Sequence, residues 1–247
     1  MQNTYPNARD RGKAMRVSRR GFLQTGGSLV LAGIHADLPV IAAGGATELR
    51  IGLVTDLHCG DKPTSGSRHY RETPAKLAEA AEKLTDERID LLVALGDLID
   101  SSDSITTERR TLERIHKQLA AIGVEQHFVL GNHCVDQLRK EEFLGVIGQD
   151  RSWYSFARDG FHFVILDSCF RTDGEPYGRR NFDCAVFQGH SHHNALQEIA
   201  GIRYCTLAAM VEGQGPEANA YGLLRLAGDG SIRVHGFRQQ HGYHWQD

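Results

Sequence analysis

The sequence predicts a single α/β domain of two facing sheets with helices outside. Three observations predict it. The chain of 247 residues suits one α/β domain of normal size plus a leader segment. Its first half alternates short apolar runs with helical periodicity, which argues for parallel strand pairing. Its second half is rich in strand signals, with no internal repeat and no low-complexity linker.

The elements follow in order. Leu49–Thr55 is a short apolar run, expected as a buried strand. Thr73-Pro74 marks a helix start, with Thr73 as cap, and Leu77, Ala80, Ala81 and Leu84 recur at helical spacing. Leu91–Leu95 is a second buried strand. Leu112, Ile115, Leu119 and Ile122 trace a second helix, closed by Gly123. A third strand is expected over His127–Leu130. Trp153–Phe156 and Phe161–Leu166 read as a hairpin around Asp159-Gly160. Ala185–Gln188, Tyr204–Leu207, Tyr221–Leu226 and Ile232–Phe237 supply the later strands, the last two joined at Asp229-Gly230.

Hydrophobic content of 40% and charged content of 24% are ordinary for a globular protein. No uninterrupted apolar run reaches the roughly 18 residues of a strong membrane span. Residues 1–46 carry six basic side chains and two acidic ones, so 22 basic and 29 acidic residues remain, a net of −7. That balance argues against nucleic acid as a partner. The front of the chain has the layout of an export signal. Ser18-Arg19-Arg20-Gly21-Phe22-Leu23 precedes an apolar stretch over Gly26–Ile34, then small residues over Ile41–Ala46. The paired arginines resemble the twin-arginine type, and glycines at 26, 27 and 33 keep the stretch weakly hydrophobic. The expected division is therefore 1–46 signal peptide and 47–247 mature domain, delivered by the export machinery to the periplasm or outside the cell. Five cysteines show no CxxC and cannot all pair within one chain.

Four clusters each follow an apolar run: Thr55-Asp56-Leu57-His58, Gly96-Asp97-Leu98-Ile99-Asp100, Gly131-Asn132-His133 and Gly189-His190-Ser191-His192. Each sets Asp, Asn or His where a strand runs out into a loop, the place where α/β sheets bind ligands. Any one of them is commonplace, but all four in this order are specific. The order DxH, GDxxD, GNH, GHxH resembles the calcineurin-like metallophosphoesterases, from about residue 49 to 192. The resemblance implies that family's fold, two facing mixed sheets with outer helices. It implies two divalent metal ions (Mn, Fe or Zn) and hydrolysis of a phosphomonoester, phosphodiester or diphosphate by a metal-bound hydroxide. By the same resemblance Asp56, His58 and His192 hold one metal and Asp97 bridges both. Asn132 and His190 belong to the second metal, and His133 acts on the small phosphorylated substrate. Asp100 supports a ligand from behind, or caps a helix.

The pattern breaks once. The family has a further His-bearing strand between GNH and GHxH, and here that interval holds His162 alone, inside Phe161–Leu166. A strand position makes His162 structural rather than a ligand. The interval from Ser168 to Gln188 is short, so one strand/helix block is expected to be missing, with its boundary near 183–184. The second metal site is then weak unless His193, Cys134 or Asp136 repairs it. The alternative expectation is a catalytically weak metal-binding relative.

Overall fold

A computed structural model describes residues 28–33, 48–167, 169, 184–199, 202–227 and 231–245. The rest of residues 1–47, the segment 170–183 and Asp229-Gly230 lie outside the described residues. Two six-stranded sheets face each other. The first contains β1 (Ser28–Gly33), β5 (Tyr154–Arg158), β6 (Phe161–Leu166), β7 (Cys184–Gln188), β8 (Ala195–Ile199) and β9 (Ile202–Thr206), in the order β5-β6-β1-β7-β9-β8. The second contains β2 (Leu49–Val54), β3 (Leu91–Ala94), β4 (Glu125–Phe128), β10 (Ala220–Leu226), β11 (Ile232–Arg238) and β12 (Tyr243–Trp245), in the order β12-β11-β10-β2-β3-β4. β2, β3 and β4 pair in parallel, as the strand–helix alternation requires.

Side-chain alternation explains the layering. On β2, Leu49, Ile51 and Leu53 point into the core between the sheets, where they meet Phe163, Ile165, Phe187 and Cys205. Val54 faces the other way, onto the helices. Those helices are α1 (Thr73–Asp86), α2 (Ile105–Ala120) and α3 (Lys140–Ile147). They bury Leu77, Ala80, Leu84, Leu112, Ile115, Leu119, Phe143 and Ile147 against the second sheet. No helix among the described residues is long and apolar enough to cross a membrane.

Several elements differ in detail from expectation. α1 carries Pro in its first turn, but Thr73 is not its cap. Thr73 lies inside the helix and donates its hydroxyl to the carbonyls of Leu57 (2.8 Å) and Tyr70 (3.0 Å). β4 sits two residues earlier than its apolar run, because pairing with β3 uses Glu125–Phe128 while Val129 and Leu130 are buried on the way to the site. The Asp159-Gly160 hairpin forms with both turn residues at positive φ (50° and 84°). α3, β8 and β12 have no periodic signature long enough to read from sequence.

β1 lies within the segment read as leader. It pairs antiparallel with β6 over Ser28–Gly33 and with β7 over Ser28–Ala32. It therefore stands between two strands that run in the same direction, in the interval where the expected block is short.

Candidate metal centre

The site is built where β2, β3, β4 and β7 end. The first two loops continue the sheet by main-chain bonds: Asp56 N–H donates to Gly96 O (3.2 Å), His58 N–H to Asp97 O (2.8 Å) and Cys59 N–H to Leu98 O (3.1 Å). That zipper holds the DxH and GDxxD clusters side by side. The GNH cluster joins through the His133 N–H, which donates to Asp97 Oδ1 (2.9 Å). The GHxH cluster arrives from the facing sheet, and the His190 N–H lies 2.9 Å from both carboxylate oxygens of Asp56.

Two glycines are required by close approach. A Cβ at Gly131 would strike Asp97 Oδ1 and the Asp97 backbone nitrogen. A Cβ at Gly189 would strike Thr55 Oγ1 and Asp56 Oδ2. The candidate ligand residues themselves are strained. Among the described residues, eight non-glycine residues have positive φ, and five of them are Asp56, His58, Asp97, His190 and His192. The left-handed region costs roughly 1–2 kcal/mol per residue, so the surrounding packing must hold these five in place.

The side chains converge. Asp56, His58 and His192 bring one ligand atom each within 4.8 Å of one another, and His58, Asp97 and His133 form a second such group. His58 Nε2 is 3.0 Å from His192 Nε2, 3.8 Å from Asp56 Oδ1 and 3.7 Å from Asp97 Oδ2. Two imidazole nitrogens facing each other between two buried carboxylates need a cation or a proton among them. This donor set of imidazole and carboxylate fits a first-row divalent ion. His190 is half-exposed, with Nδ1 4.0 Å from Asp97 Oδ2, and Asn132 is exposed.

The electrostatics agree. Burial by itself raises the Asp56 carboxyl, but His192, His58 and the Thr55 hydroxyl outweigh it and hold the group well below the usual carboxylate range. Burial likewise opposes ionisation of Asp100, yet His133, Lys62 and His58 hold it low. Asp97 raises the His190 imidazole, and Asp100 raises that of His133. Burial lowers His192, but Asp56 and Glu212 more than reverse the effect.

Asp100 is not a helix cap, since Ser104 caps α2 by accepting from the Thr107 N–H (3.2 Å). Its Oδ1 instead lies 3.0 Å from His133 Nδ1, off line for a hydrogen bond, and 3.0 Å from Lys62 Nζ. The three repair candidates belong to neither ligand group. Cys134 is buried in the helix-side core, where burial pushes its thiol up. Asp136 is turned to His133 (3.5 Å), and exposed His193 donates to the Ser191 carbonyl (2.8 Å). His162 sits on β6 opposite Ala157, as a structural residue does.

Three residues of the site carry no sequence signal. Glu212 Oε1 accepts from His192 Nδ1 at 2.6 Å. Lys76 is buried beneath the loop that carries Glu212. Lys62 approaches Asp100 across the loop after the DxH cluster. Their partners are distant in sequence, so no spacing rule finds them.

The chain is similar in sequence and in fold to several known proteins. A manganese-dependent ADP-ribose/CDP-alcohol diphosphatase from Danio rerio is 27% identical over an alignment of 141 residues, and the match covers 47% of this chain and 44% of that protein. The match thus spans less than half of that relative's length. The crystal structure of a dimetal phosphatase from Danio rerio superposes with a TM-score of 0.65 at 16% identity, covering 79% of this chain and 98% of that one. A phosphoesterase from E. coli aligns at 15% identity and a TM-score of 0.46, covering 77% and 100%. Residues 49–202 match the calcineurin-like phosphoesterase family as a whole. With four motifs meeting at one strained, carboxylate- and imidazole-lined centre on that fold, the chain belongs to the calcineurin-like phosphoesterases.

Proposed function

We propose that this chain is a metal-dependent phosphoesterase that hydrolyses a small phosphoric ester or diphosphate, with Asp56, His58, Asp97 and His192 as its first metal site. The observation that carries this reading is the convergence of Asp56, His58 and His192 on one point, with Asp97 brought in by a second group that shares His58, all four lying in the left-handed region. A divalent ion held there supplies an ionisable water near neutral pH and neutralises phosphoryl oxygens. The remaining work falls to the chain. Asp97, whose Oδ2 lies 3.7 Å from His58 Nε2 and 4.0 Å from His190 Nδ1, would serve both ions. Asp100 lies 3.0 Å from His133 Nδ1 and raises the imidazole's hold on its proton, so that Nε2 would protonate the leaving oxygen. The relative's name makes a nucleoside diphosphate compound such as ADP-ribose the first substrate to try.

The second metal site, from Asp97, Asn132 and His190, is the weaker one in this proposal, because no further imidazole joins it among the described residues. That observation keeps a second reading in play, a relative that binds one ion firmly and turns over slowly. Metal-stripped full-length chain, reloaded with Mn(II), is assayed on an aryl phosphomonoester, an aryl phosphodiester and ADP-ribose. Turnover lost on Asp97→Asn supports the enzyme. A folded, one-metal protein inert with all three favours the second reading.

The export signal, periplasmic or secreted location and engagement of the export machinery are part of the same proposal, supported by the Arg19-Arg20 pair and the small residues near Ala46. Amino-terminal sequencing of the protein from cell fractions tests them. An intact start in the cytoplasmic fraction alone rejects them.

A further inference from the structure

The loop after β9 carries a support for the metal centre that no motif announces. Lys76 is 2% exposed, and its ammonium donates to three backbone carbonyls, Met210 (2.9 Å), Glu212 (2.7 Å) and Gly213 (2.7 Å). An ammonium has three protons, so every one of them is used on this loop. From the opposite side the loop is held by the DxH cluster itself: Met210 N–H donates to Thr55 O (3.2 Å) and Val211 N–H to Asp56 O (3.1 Å). A third tether comes from the Gly213 N–H on Ser67 O (2.7 Å). Held between these anchors, Glu212 sends its carboxylate to His192 Nδ1 at 2.6 Å.

A carboxylate accepts only, so His192 Nδ1 carries the proton in this pair. Nε2, the nitrogen left for a metal, then faces His58 and Asp56. A metal-ligating histidine whose other nitrogen is held by a carboxylate has its tautomer and ring orientation set in advance. We propose that Glu212 is the positioning residue of the first metal site, fixing His192 for metal binding through Nε2, and that buried Lys76 holds Glu212 in register. This rests on the metal-site reading given above.

The experiment titrates Mn(II) into metal-stripped full-length protein by calorimetry, with Asp56→Asn as reference, and observes the His192 ring nitrogens by long-range proton–nitrogen NMR. Glu212→Ala is expected to weaken Mn(II) binding by about 10–100-fold and to release His192 from the Nδ1–H tautomer. Glu212→Gln keeps an acceptor oxygen and is expected to recover part of the loss. Lys76→Met is expected to weaken binding although it touches no ligand. Adding it to Glu212→Ala should cost little more, because both act through one path. Should Lys76→Met fail to fold, Lys76→Arg and the Glu212 pair still decide the matter. Parent-like Mn(II) affinity in Glu212→Ala, or an unchanged His192 tautomer, overturns the proposal. If the parent protein itself binds no Mn(II), or Asp56→Asn binds as the parent does, the metal-site reading fails instead.

Discussion

Gly131→Ala is the sharpest test of how the site is assembled. Gly131 has an ordinary extended backbone, φ −105° and ψ 165°, so alanine there meets no conformational barrier. The cost is purely steric. The new methyl lands on Asp97 Oδ1 and on the Asp97 backbone nitrogen, with Asp97 Cγ at 2.6 Å. The side chain could swing away, but the backbone nitrogen is fixed by the β3 strand end and cannot. Overpacking costs typically 1–3 kcal/mol, and a rigid neighbour puts this case in the upper part, about 2–3 kcal/mol. That is a roughly 30- to 140-fold shift in the unfolding equilibrium. Because Asp97 is the group displaced, Mn(II) binding should fall as well. Gly145→Ala is the matched control. It sits inside α3 with nothing within 4 Å of an added Cβ, so the same change should stabilise by about 0.5–1 kcal/mol. Urea unfolding of the metal-free proteins measures both. A Gly131→Ala protein within 0.5 kcal/mol of the parent, with its Mn(II) affinity intact, would refute the close approach of the GDxxD and GNH loops.

Three further outcomes follow from the same geometry. In metal-free protein the imidazoles of His133, His190 and His192 are held above their ordinary 6.5 by neighbouring carboxylates. Their contribution to stability is complete below that value and is lost as pH rises through the raised ones. Metal binding needs the His190 and His192 rings neutral, so between pH 6.5 and those raised values apo melting temperature should fall while Mn(II) affinity rises; parallel trends would count against the assignment. His133→Ala should lower kcat by about 10²–10⁴-fold with Mn(II) retained, as atomic absorption would show; loss of metal in step with activity would make His133 a ligand. In the full-length chain, before any removal of residues 1–46, Val30→Pro removes an amide from β1, which is paired on both sides to Val164 and Val186, and should cost about 1–3 kcal/mol for the hydrogen bond left unmade. Hydrogen exchange read by mass spectrometry checks it, and unprotected amides over 28–33 in the parent protein would remove β1 from the sheet.

Much of the fold was legible in the residues because local pattern and burial coincide there. β2 and β3 are short apolar runs buried on both faces, and α1 and α2 show the 3.6-residue period of helices covering one sheet. Short elements escaped: α3 has only Phe143 and Ile147 as buried markers, and β12 spans three residues. The shifted bounds of β4 have a different cause. Apolar character reports burial, and Val129 and Leu130 are buried without pairing in the strand.

For the site, sequence alone determined which residue types stand at which strand ends: Asp56, His58, Asp97, Asn132, His133, His190 and His192 are all visible as four motifs because each lies beside a glycine or an apolar run in the chain. Tertiary structure alone decided which of them meet. His58 and His192 are 134 residues apart and touch only because two sheets face each other. The same is true of Glu212 on His192 and of Lys76 under residues 210–213, and of β1 between β6 and β7. A motif is a local property of the chain, whereas a hydrogen bond across 136 residues depends on where packing brings two loops, and nothing local encodes that.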